Sequence, residues 1–395
     1  MKQTATLATR AAVRGALAGV RDRADAGSPL VLVGLSGGAD SLALAAAAAF
    51  EAPRVRVRAG AVVVDHALQP ESAEVAARAA RQARELGLDP VLVRRVAVPA
   101  GSGPEGAARE ARYGAFARAA HEAGAAAILT AHTRDDQAEQ VLLALARGSG
   151  TRSLAGIPPE RELAAGPAIL RPFLAPSPAI TRAITAAACD EQGLDPWRDP
   201  HNRDRAFARV RVRERALPTL ERELGPGIAA ALARTADLAR EDADALDAAA
   251  ARAVEAWIPR EARDPDPRHL PSIFAKTARS SRYFGAESAE NDGEWEPPRP
   301  PRPPRPPGGA QPVLVPVAAL ADEPAAIRNR AIRLIANRCF GSHLTREHTL
   351  AVAALVTDWH GQGPVFAPGL SATRSAGVIR FETRRESPRA ASGTS

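Results

Sequence analysis

The sequence predicts an α/β protein with a doubly wound parallel sheet, followed by a mainly helical C-terminal domain. Short apolar runs rich in β-branched residues alternate with alanine-rich, helix-forming segments from residue 30 to residue 193. The connections between them are short, and strands joined through helices in this way run parallel in one sheet. Helical patterns return from residue 313, beyond a proline-rich stretch, and support the second domain.

The strands of the sheet are predicted from buried apolar runs at 30–36, 58–66, 90–98 and 125–132. A helix is predicted after each strand, at 40–50, 72–87, 105–124 and from about 135 to 147. The second helix is the clearest, because Val75, Ala79, Ala83 and Leu86 recur at helical spacing. A strand at 168–174 with a helix at 177–193 could add a fifth unit.

The domain organisation follows from shifts in composition. An α/β domain is predicted at 1–217, followed by a helical connector at 218–258 that is one long helix or a helical pair. The proline- and arginine-rich residues 259–312 predict a disordered linker, whose arginines could alternatively contact RNA phosphates. Two helices, near 323–339 and 345–359, and a hairpin at 365–382 are predicted for the C-terminal domain, 313–383, before a disordered tail, 384–395.

Composition narrows the class of partner and the compartment. The formal net charge is +7 and the chain has two lysines, so nearly all of its positive charge is arginine. This balance suits an acidic partner such as a nucleic acid, although biased codon usage alone would give the same pattern. Two distant cysteines, Cys189 and Cys339, argue against a disulfide framework or a cysteine-rich zinc site. No signal peptide or membrane-spanning run is recognised, so we expect a cytoplasmic protein without a membrane partner.

The sequence SGGADS at residues 36–41 joins the first strand to the first helix. Glycines let the backbone approach a ligand closely, and free N–H groups at the start of a helix attract anions. The hydroxyls of Ser36 and Ser41 can donate hydrogen bonds to phosphate oxygens. The lysine of a Walker-type P-loop is absent, and Asp40 beside a polyphosphate needs a cation, which indicates Mg²⁺. The loop therefore predicts a phosphate site with Mg²⁺; the alternative is an ordinary glycine-rich turn.

Several motifs together resemble one family. SGGADS matches the SGGxDS motif of the PP-loop ATP pyrophosphatases, which cleave ATP between its α- and β-phosphates. Four further stretches are similar, in order, to the tRNA(Ile)-lysidine synthetase family: VDHAL (64–68), AAREARYGAF (107–116), LTAHTRDDQAEQVLLALARGSG (129–150) and WRDPHNRDRAFARVRVRERALP (197–218). The stretches LTREH and WHGQGPVFAPG, within 344–369, resemble the helical domain of the same family.

The resemblance implies a PP-loop domain of the adenine nucleotide alpha hydrolase-like fold at 1–217 and a tRNA-binding domain at 313–383. It implies that ATP adenylates the 2-oxo group of the cytidine at the first anticodon position of a tRNA(Ile) with a CAU anticodon. Free L-lysine then displaces AMP to give lysidine, which changes codon reading from AUG to AUA. A homodimer is left open.

Two other functions remain as alternatives. A PP-loop tRNA thiolase normally needs paired cysteines, and the two cysteines of this chain are isolated. A non-catalytic, ATP-dependent RNA-binding module is the second alternative, and the intact phosphate loop with DDQAE argues against it.

The resemblance also implies roles for individual residues. It assigns the nucleotide to the loop residues Ser36, Gly37, Gly38, Ala39, Asp40 and Ser41. It assigns catalytic roles to Asp40, Arg112, His132, Asp136 and Glu139, with Asp40 and Asp136 as Mg²⁺ ligands. By spacing alone, helix capping is the simpler explanation of Asp135, Asp136 and Glu139. Their division between Mg²⁺ and the ammonium groups of lysine is left open.

The chain departs from the family pattern at three places. Thr133 stands where a second histidine is usual, and Gln140 stands where threonine is usual. Gly103 or Pro104 replaces an asparagine that commonly precedes the Arg-Tyr helix. These departures concern substrate contacts and leave the expected reaction class unchanged.

Three further groups of residues allow two interpretations each. Asp65 either binds adenosine hydroxyls or caps the end of its strand. Arg109 and Arg112 share a helix face with Phe116, and their guanidinium groups either bind phosphate or are solvated. The basic residues 202–213 either contact tRNA phosphates or form a solvated helix face.

Overall fold

The computed structural model describes residues 4–24, 27–67, 71–96, 104–163, 166–175, 177–199, 204–258 and 312–384. The chain forms two compact units, Met1–Glu241 and Asp242–Ser395. The predicted linker and tail lie almost entirely outside the described residues. Within the described ranges, none of the helices combines the length and apolar character needed to span a bilayer.

The first unit alternates strands and helices. Its strands are β1 (Leu30–Gly34), β2 (Arg58–Asp65), β3 (Val91–Arg95), β4 (Ala125–Leu129), β5 (Glu160–Leu163) and β6 (Gly166–Leu170). Its helices are α1 (Ala5–Asp22), α2 (Ala39–Glu51), α3 (Ser72–Glu85), α4 (Pro104–Ala123), α5 (Arg134–Ala146), α6 (Thr151–Leu154), α7 (Arg182–Glu191), α8 (Ala208–Arg211) and α9 (Leu217–Leu224). A π-helical turn, Val212–Ala216, joins α8 to α9.

The six strands form one sheet in the order β3-β2-β1-β4-β6-β5. Parallel pairs join β1 to β2 and β4, β2 to β3, and β4 to β6, which confirms the predicted doubly wound sheet. Val31 and Val33 of β1 are fully buried, as expected for a central strand with both faces covered. Because β1, β2 and β4 run parallel, their carboxyl ends lie at one edge, where Ser36, His66 and His132 follow them.

Strand β5 is absent from the sequence-based prediction. It pairs antiparallel with β6 at the edge of the sheet. Its first three residues, Glu160, Arg161 and Glu162, are exposed, so it lacks the apolar run that identifies the other strands.

Helix α1 is also absent from that prediction. The Thr4 hydroxyl caps it by accepting a hydrogen bond from the Leu7 N–H at 3.3 Å. Val13, Leu17 and Val20 recur at helical spacing and are buried. The helix packs on α2 and α7 and thereby supports the helix that follows the phosphate loop.

Helix α10 (Ile228–Trp257) follows α9 after Gly225 and Gly227, so the helical pair is the correct alternative for residues 219–257. In the second unit it precedes β7 (Val313–Pro316), α11 (Val317–Ala321), α12 (Ala325–Phe340), α13 (Arg346–Thr357), β8 (Val365–Ala367), β9 (Leu370–Ser375) and β10 (Val378–Thr383). The predicted hairpin is part of a four-stranded antiparallel sheet in the order β7-β10-β9-β8. Ile332, Leu355 and Phe381 lie in the core between these helices and the sheet.

Candidate active site

The loop between β1 and α2 is held together by its two serines. The Ser41 hydroxyl donates a hydrogen bond to the Gly38 carbonyl at 3.0 Å and accepts one from the Ser36 N–H at 3.2 Å. The Ser36 hydroxyl lies 3.1 Å from that of Ser41. Gly38 is the N-cap of α2 and provides no side-chain cap, so the first N–H groups of the helix are available to an anion.

Two glycines shape this end of the sheet. Gly37 has a φ of +83°, which glycine adopts without strain, and its carbonyl accepts a hydrogen bond from the Trp197 N–H at 2.9 Å. A Cβ at Gly34 would lie 2.7 Å from the Phe116 ring. Glycine at the end of β1 therefore lets α4 approach the loop closely.

A cavity of about 420 Å³ opens at this edge, within the usual size range of small-molecule sites. The phosphate loop contributes Ser36, Asp40 and Ser41 to its lining. The ends of β2 and β4 and the helices beside them contribute Asp65, His66, Arg112, Tyr113, Phe116, Thr130, His132 and Asp136. The fold therefore brings four of the five predicted catalytic residues to one cavity, and the fifth, Glu139, lies outside its lining.

Asp40 lies in the first turn of α2 and accepts a hydrogen bond from the Thr185 hydroxyl of α7. Burial raises the pKa of Asp40; the hydrogen bond from Thr185 lowers it, and the negative charge of Asp136 raises it. The two carboxylates thus repel each other, and the charge of Arg182, which lowers the pKa of both, offsets part of that repulsion.

This donor set fits Mg²⁺ bound together with a nucleotide. Mg²⁺ is commonly held by one or two protein carboxylates together with substrate phosphate oxygens. In the part of the chain that the structure describes, no group of three His, Cys, Asp or Glu side chains is arranged to hold a metal without such help. Asp40 and Asp136 are the residues that would hold the ion, and Asp136 would have to exchange a contact with Arg182 or Arg209 for it.

Three arginines, here called the arginine cluster, bind two carboxylates of α5; they are Arg182, Arg209 and Arg213. Oε1 of Glu139 accepts hydrogen bonds from Arg182 at 2.7 Å and from Arg213 at 2.8 Å. Oε2 of Glu139 accepts one from Arg209 at 2.7 Å. Oδ1 of Asp136 accepts from Arg209 at 2.9 Å and also from Arg182.

The charges in this network stabilise one another. Burial by itself raises the pKa of Asp136, but Arg182 and Arg209 lower it to about 2. Burial also raises the pKa of Glu139, and Arg213 and Arg182 bring it below its ordinary value. Burial lowers the pKa of Arg182, and the charges of Asp136 and Glu139 raise it above its ordinary value. The two carboxylates are therefore ionised at neutral pH.

We expect the network to make stability sensitive to acid. The pKa of Asp136 is lowered from 3.8 to about 2, so its contribution is complete above pH 3.8 and lost as the pH falls through about 2. That contribution is about 2 kcal/mol by linkage. Urea unfolding at pH 4.5, 3.5 and 2.5 should show a smaller loss of stability in Asp136→Asn than in the wild type. Equal losses in both proteins would contradict the ion pairing.

Glu139 has different partners from those expected of a residue that binds the lysine substrate or takes part in catalysis. Its side chain is 0% exposed, and both of its oxygens are bound by guanidinium groups. A buried carboxylate with these contacts orients the arginine cluster and does not face the cavity. The geometry therefore supports a positioning role for Glu139 and does not support its predicted contact with substrate.

Capping explains another part of the acidic turn. The Thr133 N–H donates to Asp136 Oδ2 at 2.7 Å in a capping box at the start of α5. The Arg182 backbone N–H donates to Asp135 Oδ2 at 2.7 Å, at the start of α7. Thr133, which replaces the usual histidine of the family, thus has a structural function as the cap of α5.

The remaining predicted residues lie around the cavity. Nδ1 of His132 is 3.2 Å from the Thr130 hydroxyl. Asp65 accepts a hydrogen bond from the Ala67 N–H at 2.9 Å. This contact agrees with the second of its two interpretations, a cap at the end of its strand. Arg112 donates through Nε to Nε2 of His66 at 3.2 Å. The side chain of Arg109 lies outside the part of the chain that the structure describes.

Sequence reasoning missed Arg182 and Thr185, and it described the basic segment incompletely. Arg209 and Arg213 are bound by the carboxylates of α5, a partner that neither interpretation of the basic segment named, and contact of residues 202–213 with tRNA stays a prediction. The available signal was complementary spacing, because Asp136 and Glu139 are three residues apart on a helix and the two arginines are four apart. Nothing in the sequence alone shows that these faces meet.

A family model described as a PP-loop domain matches residues 16–220, and one described as the TilS substrate binding domain matches residues 316–380. The fold and site thus define an ATP-binding protein of the PP-loop class. Three tRNA(Ile)-lysidine synthases are similar over most of their length. That of Leifsonia xyli subsp. xyli is 51% identical (89% of each chain), that of Thermobifida fusca 46% (91% of this chain, 92% of the relative), and that of Streptomyces coelicolor 43% (89% and 86%). The chain belongs to the tRNA(Ile)-lysidine synthase family.

Among solved structures, the U34-tRNA thiolase NcsA from Methanococcus maripaludis is 17% identical, with a TM-score of 0.46 over 59% of this chain and 78% of the thiolase. This likeness is too low to bear on activity.

Proposed function

We propose that the protein converts cytidine to lysidine at the first anticodon position of a tRNA(Ile) with a CAU anticodon. ATP adenylates the 2-oxo group of the base and releases pyrophosphate. The side-chain amine of free L-lysine then attacks the same carbon, and AMP leaves. Lysidine pairs with A instead of G, so the tRNA reads AUA in place of AUG.

One observation carries this proposal. The phosphate loop, Asp40, Arg112 and His132 line one cavity in a chain whose curated relatives are named for lysidine synthesis. Adenylation requires phosphate binding and charge stabilisation at one place, and this cavity provides groups for both.

Each group has a role that follows from its chemistry. The N–H groups at the start of α2, with Ser36 and Ser41, bind phosphate oxygens. Mg²⁺ held by Asp40 and Asp136 would neutralise phosphate charge. The guanidinium group of Arg112 stabilises the negative charge that develops during adenylation. His132 borders the same space and can accept or donate a proton at the reacting base. A homodimer and a cytoplasmic location stay predictions.

The proposal is tested by measuring pyrophosphate release from ATP with a tRNA(Ile) transcript carrying the CAU anticodon, with and without lysine. A transcript differing only by a GAU anticodon is the matched control. We expect pyrophosphate release with the CAU transcript and not with the GAU transcript. When lysine is present, we expect lysidine in the product of the CAU transcript. Equal release with both transcripts, or product nucleosides containing sulfur, would contradict the proposal.

Replacing both cysteines should leave this activity within about twofold of the wild type. Cys189 is buried, donates to the Ala39 carbonyl at 3.4 Å, and burial raises the pKa of its thiol to about 11. It is therefore protonated at neutral pH and a poor nucleophile. The double variant Cys189→Ala with Cys339→Ser is compared with the wild type in the same assay, after circular dichroism shows that it is folded. A folded but inactive variant would favour the thiolase alternative.

A further inference from the structure

His66 follows β2 and lines the same cavity as the phosphate loop. Its two ring nitrogens have different surroundings. Nε2 accepts a hydrogen bond from Arg112 Nε at 3.2 Å. Nδ1 is buried and has no hydrogen-bond partner within the described ranges of the chain.

Arg112 decides which nitrogen of His66 carries the hydrogen. A guanidinium N–H can only donate, so Nε2 accepts and is unprotonated. Burial and the positive charge of Arg112 together lower the pKa of His66 to about 4, although the charge of Asp65 raises it, so the ring is neutral at neutral pH. A neutral imidazole without a hydrogen on Nε2 carries it on Nδ1. The buried, unpartnered atom is therefore a hydrogen-bond donor.

The surroundings of this donor favour a ligand as its partner. The neighbouring carboxylate of Asp65 already accepts the Ala67 N–H at 2.9 Å. Val64, Val75 and Ala76 line the cavity with apolar surface. Native proteins seldom leave a buried N–H unpaired, because its lost hydration is not replaced.

We propose that Nδ1–H of His66 donates a hydrogen bond to an uncharged acceptor on the base of a bound nucleotide, a ring nitrogen or a carbonyl oxygen. The apolar lining suits the face of a base, whereas the phosphate loop, which lines the same cavity, provides the N–H groups and hydroxyls that bind phosphate. The same imidazole orients Arg112 through Nε2, so one side chain couples base recognition to the group that stabilises charge. This inference rests on the proposed function, which supplies two bases, the adenine of ATP and the target cytidine.

Two variants separate the two nitrogens. His66→Asn keeps an N–H near the Nδ1 position and loses the contact with Arg112. His66→Gln keeps an acceptor near the Nε2 position and loses the Nδ1 donor. We measure the Kd of a non-hydrolysable ATP analogue by calorimetry without tRNA, and the KM for tRNA and kcat in the pyrophosphate assay. Thermal unfolding shows whether each variant is folded.

We expect His66→Gln to weaken the binding of one of the two substrates by about 3- to 10-fold, which corresponds to the loss of one neutral hydrogen bond. A higher Kd for the analogue identifies adenine as the base, and a higher KM for tRNA with unchanged analogue binding identifies the cytidine. His66→Asn should bind both substrates within about twofold and lose kcat. The inference is overturned if His66→Gln binds both substrates as the wild type does, or if both variants lose binding equally. A wild-type protein that does not bind the analogue would contradict the proposed function itself.

Discussion

Replacing Asp40 with alanine is expected to reduce tRNA-dependent pyrophosphate release by at least about 100-fold while the protein stays folded. Asp40 is the carboxylate of the phosphate loop, and it lines the cavity with Asp136. Loss of a preorganised electrostatic group at the reacting atoms typically costs 10²–10³ in rate. The change is measured in the pyrophosphate assay with saturating ATP.

Stability should not fall in parallel with activity. Burial raises the pKa of Asp40, so the folded protein disfavours its charged form, and removing the charge should leave the unfolding midpoint unchanged or higher at neutral pH. Asp40→Asn is the matched variant, because its amide oxygen can still accept the Thr185 hydroxyl. Thr185→Val removes that hydrogen bond, together with the one from the same hydroxyl to the Arg182 carbonyl at 2.9 Å, and should keep most of the activity. A folded Asp40→Ala protein with near-normal AMP formation would refute the assignment of this loop.

Glu139→Gln is expected to destabilise the protein by about 3 kcal/mol, because it removes a fully buried carboxylate that pairs with three partly buried arginines and leaves Asp136 as the counter-charge of only two of them. The unfolding midpoint should fall by roughly 10 °C. Adenylation and lysine transfer should both weaken, since Arg182 and Arg209 also hold Asp136 at the cavity. Thermal unfolding and separate assays of the two half-reactions measure these effects.

The control for this substitution is Glu223→Gln. Glu223 pairs with Arg222 at 2.8 Å, and the two side chains are 61% and 66% exposed, so the same change there should alter stability by less than about 1 kcal/mol. If Glu139→Gln instead kept full stability and adenylation and raised the KM for lysine alone, Glu139 would be a lysine ligand after all.

The sequence by itself determined the parallel sheet, the phosphate loop and the family. Strand and helix patterns depend on neighbouring residues, and the chemistry of SGGADS depends on a single turn between β1 and α2. Both can therefore be predicted from a short stretch of chain. The edge strand β5 could not be predicted from the sequence, because its exposed, charged residues show no apolar pattern.

Only the tertiary structure decided the electrostatics of the site. Arg182 and Arg209 lie far along the chain from Glu139, and their pairing depends on how α7 and α8 pack beside α5. The hydrogen on His66, which follows β2, is likewise placed by Arg112 of α4, whose Nε lies 3.2 Å from Nε2 of His66. Ion pairs, tautomers and shifted pKa values depend on burial and on partners distant in sequence, so residue spacing specifies which groups are present and packing decides what they do.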